Sequence, residues 1–93
     1  MDDLAEIWVF IALEAAESRA TSFVGKLHAD FQRLRRAPLM GTKREVVAPG
    51  LRVFFHGRYA IYYQPHENEL VIVRVLHGAR DIAAIVEEGG FSE

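Results

Sequence analysis

The chain contains no cysteine among its 93 residues, which excludes a disulfide framework, a thiolate metal site and a cysteine nucleophile. No apolar run approaches the roughly 18 residues of a membrane-spanning helix. The start, Met1-Asp2-Asp3, is acidic and lacks the basic opening of a secretory signal, so a soluble cytoplasmic protein without membrane contact is expected. A surplus of basic charge is also missing. The formal net charge of −2 argues against a protein whose main task is coating nucleic acid. No glycine-rich phosphate loop leads from a strand into a helix, and Ser18, Ser22 and Ser92 have no nucleophile-elbow context. The four histidines, His28, His56, His66 and His77, are not at ligand spacing. Neither a metal nor a cofactor is therefore expected.

What is present is ordinary globular composition, 51% apolar and 26% charged. With no repeat, low-complexity run or linker, residues 1–93 read as one domain with a single modest core. Charge is unevenly laid out. Residues 43–64 carry Lys43, Arg44, Arg52 and Arg58 against Glu45 alone, while acids gather towards the two ends.

Two amphipathic helices come first. Asp3-Leu4-Ala5-Glu6 has the form of a capping box, and Leu4, Ile7, Trp8 and Ile11 follow at i, i+3, i+4, i+7. That stripe makes Trp8 a core anchor, and the helix fades around Ala15–Glu17. A second helix is predicted over Ser18–Arg36, with the stripe Ala20, Phe23, Val24, Leu27, Phe31 and Leu34. Arg33, Arg35 and Arg36 suit the negative end of its dipole, and Pro38 stops it. The pair reads as a helical hairpin lying on something flat.

The rest of the chain supplies that surface. Pro49-Gly50 turns into Leu51–Phe55, His56-Gly57-Arg58 connects to Tyr59–Gln64, and Pro65–Asn68 turns into Leu70–Leu76. This is an antiparallel meander, with Arg44–Val47 adding a short strand before it. Alternation sets Ala60 and Tyr62 on one face and Tyr59, Ile61 and Tyr63 on the other. The helices cover one face and the other is partly open to water. In the last strand, alternation puts Arg74 on the face of Ile72 and Leu76. Gly78 ends that strand, and Asp81 can cap a final helix over Ile82–Glu88.

Glu45, Arg52, Arg58, Arg74, His77 and Arg80 all fall on or beside the meander. A carboxylate and a histidine flanked by arginines could run acid–base chemistry on a phosphodiester. The same residues could equally be cross-strand ion pairs on a solvated face. Residue types and spacing leave both open.

The order of landmarks resembles the RelE/ParE superfamily of bacterial toxins, and its ParE branch in particular. The landmarks are Asp3-Leu4 with Glu6-Ile7-Trp8, Pro38-x-x-Gly41, Arg44-Glu45, Pro49-Gly50-Leu51-Arg52, Gly57-Arg58-Tyr59 with Ile61 and Tyr63, and Arg74–Asp81. The resemblance covers nearly the whole chain and implies an α+β fold. Family members usually open with a strand before the Asp-Leu helix, whereas this chain starts at the helix. A missing strand would leave a sheet edge exposed.

Two functions follow from the resemblance. ParE-like toxins bind DNA gyrase and stall it, without catalysis of their own; Arg74, His77, Arg80 and Asp81 are then the candidate target contacts. RelE-like toxins cut messenger RNA on the ribosome. In that case Glu45 and His77 form the acid–base pair, and Arg52, Arg58 and Arg74 hold phosphate. The net charge, the His-Gly-Ala-Arg-Asp ending and the absence of a tyrosine after Tyr63 favour the inhibitor. Both branches imply a cognate antitoxin, ParD-like or related, through which alone DNA would be touched. A third reading is a relic that only pairs with its antitoxin.

Overall fold

Two helices followed by four strands make up the computed structural model, which describes residues 3–78. Helix α1 spans Asp3–Glu14 and α2 spans Glu17–Arg36. Strands β1 (Thr42–Lys43), β2 (Arg52–His56), β3 (Tyr59–Pro65) and β4 (Leu70–His77) form one antiparallel sheet in the order β1-β2-β3-β4. The expected α+β arrangement of a helical hairpin on a meander is therefore present. The expected final helix, Ile82–Glu88, lies outside the described residues, as do Arg80 and Asp81.

The apolar stripes do what their spacing requires. Ile7 from α1 and Leu27 and Leu34 from α2 are buried against Ile61, Tyr63 and Val75 of the sheet. Trp8 is only half-buried, and its indole Nε1–H donates to Thr21 Oγ1 at 3.1 Å, tying the two helices together. Between β2 and β3 the loop is two residues long, and Gly57 takes φ +57°, which glycine adopts without strain.

The second face of the sheet is less open than alternation suggests. Leu51, Val53, Ala60, Tyr62, Val73 and Leu76 form a second buried cluster there, with Val47 and Ala48 packed onto it. The cause is the segment between β1 and β2. Arg44–Val47 is not a strand: Val47 N–H and Ala48 N–H both donate to the Arg44 carbonyl, at 3.0 and 3.3 Å, and fold the chain back over the sheet. The strand that pairs with β2 lies just before it, at Thr42–Lys43.

Alternation also fails once along β4. Tyr62 pairs with Arg74 but Tyr63 pairs with Ile72, so Val73 is an extra, bulged residue. One inserted residue reverses the facing of everything beyond it. Ile72 consequently packs with the helix-side cluster and Leu76 with the opposite one, rather than both sharing a face with Arg74.

Pro38-x-x-Gly41 has a packing explanation. The buried Tyr63 hydroxyl donates to the Pro38 carbonyl at 2.7 Å and accepts the Gly41 N–H at 2.9 Å. Arg52 Nη1 donates to the carbonyls of Leu39 (3.2 Å) and Gly41 (2.6 Å), pinning the same loop from the strand side. A Cβ on Gly41 would stand 2.6 Å from the Tyr63 hydroxyl and 2.7 Å from the Val53 carbonyl oxygen, closer than atoms can approach. Gly41→Ala is therefore expected to destabilise the domain by about 1–3 kcal/mol, the usual range for overpacking. Urea unfolding monitored by the Trp8 fluorescence reads this directly.

Candidate functional site

Arg74 is the one charged residue in β4, and α1 supplies its counter-charge. Both oxygens of the buried Asp3 carboxylate accept from its guanidinium, Oδ2 from Nε at 2.8 Å and Oδ1 from Nη2 at 3.0 Å. Asp3 Oδ2 also accepts the backbone N–H of Val75 at 2.8 Å. Since β4 is an edge of the described sheet, this oxygen takes a donor that another strand would otherwise pair. The capping-box reading of Asp3 is thus replaced: both oxygens are spent on the strand. Arg74 is correspondingly committed to an internal pair rather than presented to a partner.

His77 ends β4 opposite Tyr59, and their rings meet edge to face at 5.3 Å between centroids. Arg58 is exposed on the adjoining turn, and its carbonyl accepts the Gly78 N–H at 2.7 Å. Phe23 of α2 touches both Tyr59 (5.2 Å) and His56 (5.5 Å). His56 Nδ1 in turn meets the buried carboxylate of Asp30, on which Arg33 also closes at 3.6 Å. One end of the sheet therefore gathers His56, Arg58, Tyr59 and His77 over a helix residue, Phe23. Burial pushes the Tyr59 hydroxyl above its ordinary value, and does the same to Tyr62, where nearby Arg44 partly offsets it.

The candidate acid–base set is not gathered with them. Glu45 is exposed on the turn after β1, beyond the row in which Lys43 faces Arg52. His77 belongs to the row of Tyr59 and His56 at the other end of β2. Four strand residues separate these rows, roughly 13 Å at about 3.3 Å each, whereas an acid and a base on one phosphodiester must each come within about 3 Å of it. Arg52 is held on the loop carbonyls and Arg74 on Asp3. Arg58 and His77 remain together at the sheet end. Among the described residues no group of histidines and carboxylates is placed to hold a metal ion, and no helix is long and apolar enough to cross a membrane.

Comparison with known proteins completes the picture. The profile described as the ParE toxin of type II toxin-antitoxin system, parDE, matches residues 1–82. The chain belongs to the ParE toxin family. Toxin ParE3 of Caulobacter vibrioides is 31% identical to it over 65 residues, 70% of this chain and 65% of that protein. The chain thus spans just under two thirds of that curated relative. The ParE match reaches past β4 and takes in Arg80 and Asp81.

Sequence reasoning passed over Asp30, Tyr59 and the tie from Asp3. A signal existed for each aspartate. Asp30 interrupts the stripe between Leu27 and Leu34, where a buried carboxylate requires a partner. Arg74, alone in an apolar strand, requires an acid.

Removing one partner of a buried ion pair costs roughly 3–5 kcal/mol, because the other charge is left without compensation. Asp3→Ala strands both Arg74 and the Val75 N–H, and its denaturant midpoint is expected to fall by the equivalent of about 3 kcal/mol. A second expectation concerns alkali. A hydroxyl whose value is raised on folding holds its proton more tightly in the native state, so its contribution is complete below the ordinary tyrosine value of 10.0 and is lost as pH rises past it. Stability should decline above about pH 10, and Tyr59→Phe should lessen the decline in melts run from about pH 8 to 11.

Proposed function

We propose that this ParE-family chain is the toxin of a type II toxin–antitoxin module, that it acts by binding DNA gyrase, and that a cognate antitoxin neutralises it. The observation that carries this reading is the family match over residues 1–82, which spans both helices and the whole sheet. The dispersal of Glu45, Arg52 and Arg74 away from His77 supports contact over catalysis. It weighs against the alternative of a messenger-RNA endonuclease, for which arginines must be free to meet phosphate. On this reading the toxin works in the cytoplasm and touches DNA only through its antitoxin.

The target contact is assigned to the polar end of β4, at His77 with Arg80 and Asp81. His77 is half-buried on Tyr59 at a strand end, a rigid position from which to present a ring to another protein. Arg58 adjoins it and extends the same surface. Arg74 serves as a support for this end.

The test is DNA supercoiling by purified gyrase in the presence of the full chain. Inhibition is expected, and His77→Ala or Arg80→Ala should weaken it at least tenfold while the melting temperature stays within a few degrees. A translating extract should show no messenger-RNA cleavage. Cleavage without gyrase inhibition would overturn the proposal in favour of the nuclease, and silence in both assays would favour the relic.

A further inference from the structure

Helix α1 carries two apolar stripes. One, with Ile7 at its centre, is buried in the core. The other runs Glu6, Val9, Phe10, Leu13 at i, i+3, i+4, i+7 and faces away from it. Val9 is 50% exposed, Phe10 58% and Leu13 82%. These side chains form one wall of an open groove of about 760 Å³, whose other wall is Val75 and His77 of β4. Single exposed apolar residues are ordinary, but a stripe of them beside a strand edge marks a docking surface.

The charge around the groove says what fits it. Helix α1 carries Asp3, Glu6 and Glu14 and no basic residue, and Asp3 is already neutralised by Arg74. Glu6 and Glu14, two turns apart, flank the exposed stripe. A second copy of the chain is a poor occupant, because two α1 helices packed antiparallel would set Glu6 of each against Glu14 of the other. An extended segment is also poorly served. The outward N–H of Val75, in the middle of the groove wall, is held by Asp3, so pairing there would have to break a buried ion pair. A helix needs no backbone donor from the edge.

We infer that the groove between α1 and β4 receives an amphipathic helix of the antitoxin, with apolar side chains seated on Val9, Phe10 and Leu13 and with lysines or arginines opposite Glu6 and Glu14. This assignment rests on the toxin–antitoxin reading above. The docking follows the helix-in-groove mode, in which apolar anchors give affinity and flanking charge gives orientation.

The experiment is titration calorimetry of the full chain with the purified product of the adjoining antitoxin gene. Phe10→Asp and Leu13→Asp should each weaken binding at least 100-fold, and Phe55→Asp, exposed elsewhere on β2, should stay within threefold of wild type. Both α1 sites are largely exposed, and thermal melts check each fold; should Phe10→Asp unfold, Leu13→Asp decides the matter alone. The Glu6→Lys, Glu14→Lys double variant should lose about tenfold at low salt and much less near 0.5 M, where exposed charges are screened. Unchanged affinity in the aspartate variants overturns the inference while leaving the toxin–antitoxin reading intact. So does a complex in which the Val75 amide pairs with an antitoxin strand, or a wild-type dimer that Phe10→Asp dissociates without affecting the antitoxin. No binding by wild type overturns the toxin–antitoxin reading itself.

Discussion

The bond between Asp3 and Arg74 is the constraint on which the rest of the molecule depends. A guanidinium in an apolar strand is tolerated only if an acid meets it with good geometry, and the bidentate arrangement with two oxygens satisfies that demand. The same carboxylate closes the Val75 N–H, so a single side chain neutralises a charge, caps a strand edge and fixes where α1 begins. With α1 set in this way, one of its stripes must face the core and the other must face out. The groove beside β4 is a direct result.

A second constraint operates at the opposite side of the sheet. Tyr63 and Arg52 hold the loop after α2 through its carbonyls and the Gly41 amide. That loop carries the chain from the helical layer to β1. The turns that follow place Val47 and Ala48 on the far face, so the sheet is packed on both sides. Hydrogen bonds to backbone groups dominate here, which suits a segment that is neither helix nor strand and must still satisfy its polar atoms.

Much of this was legible in the residues. Both helices, the meander and the faces of β3 follow from periodicity, because each element buries a stripe or a face with little interruption. The departures have local causes. The strand expected at Arg44–Val47 becomes turns because Arg44 offers its carbonyl to the amides just ahead of it. The bulge at Val73 leaves no mark in an unbroken β-branched run, so the reversal of Ile72 relative to Leu76 could not be read from alternation. The candidate site was legible in composition but not in grouping. Register decides that Glu45 and His77 sit at different ends of the strands, and register is fixed by the turns and the bulge rather than by residue type.

The tie from Asp3 to Val75 also spans 72 positions of the chain. A contact between residues so distant closes a long loop, and the entropic cost of that closure is met only once the intervening elements have formed. During synthesis, α1 emerges first and can pair with α2 at once, but its final anchor does not exist until β4 has been made. For most of that interval α1 rests on α2 alone, with Ile7 and the outer stripe both uncovered. The first helix to be made is therefore the last to be fastened.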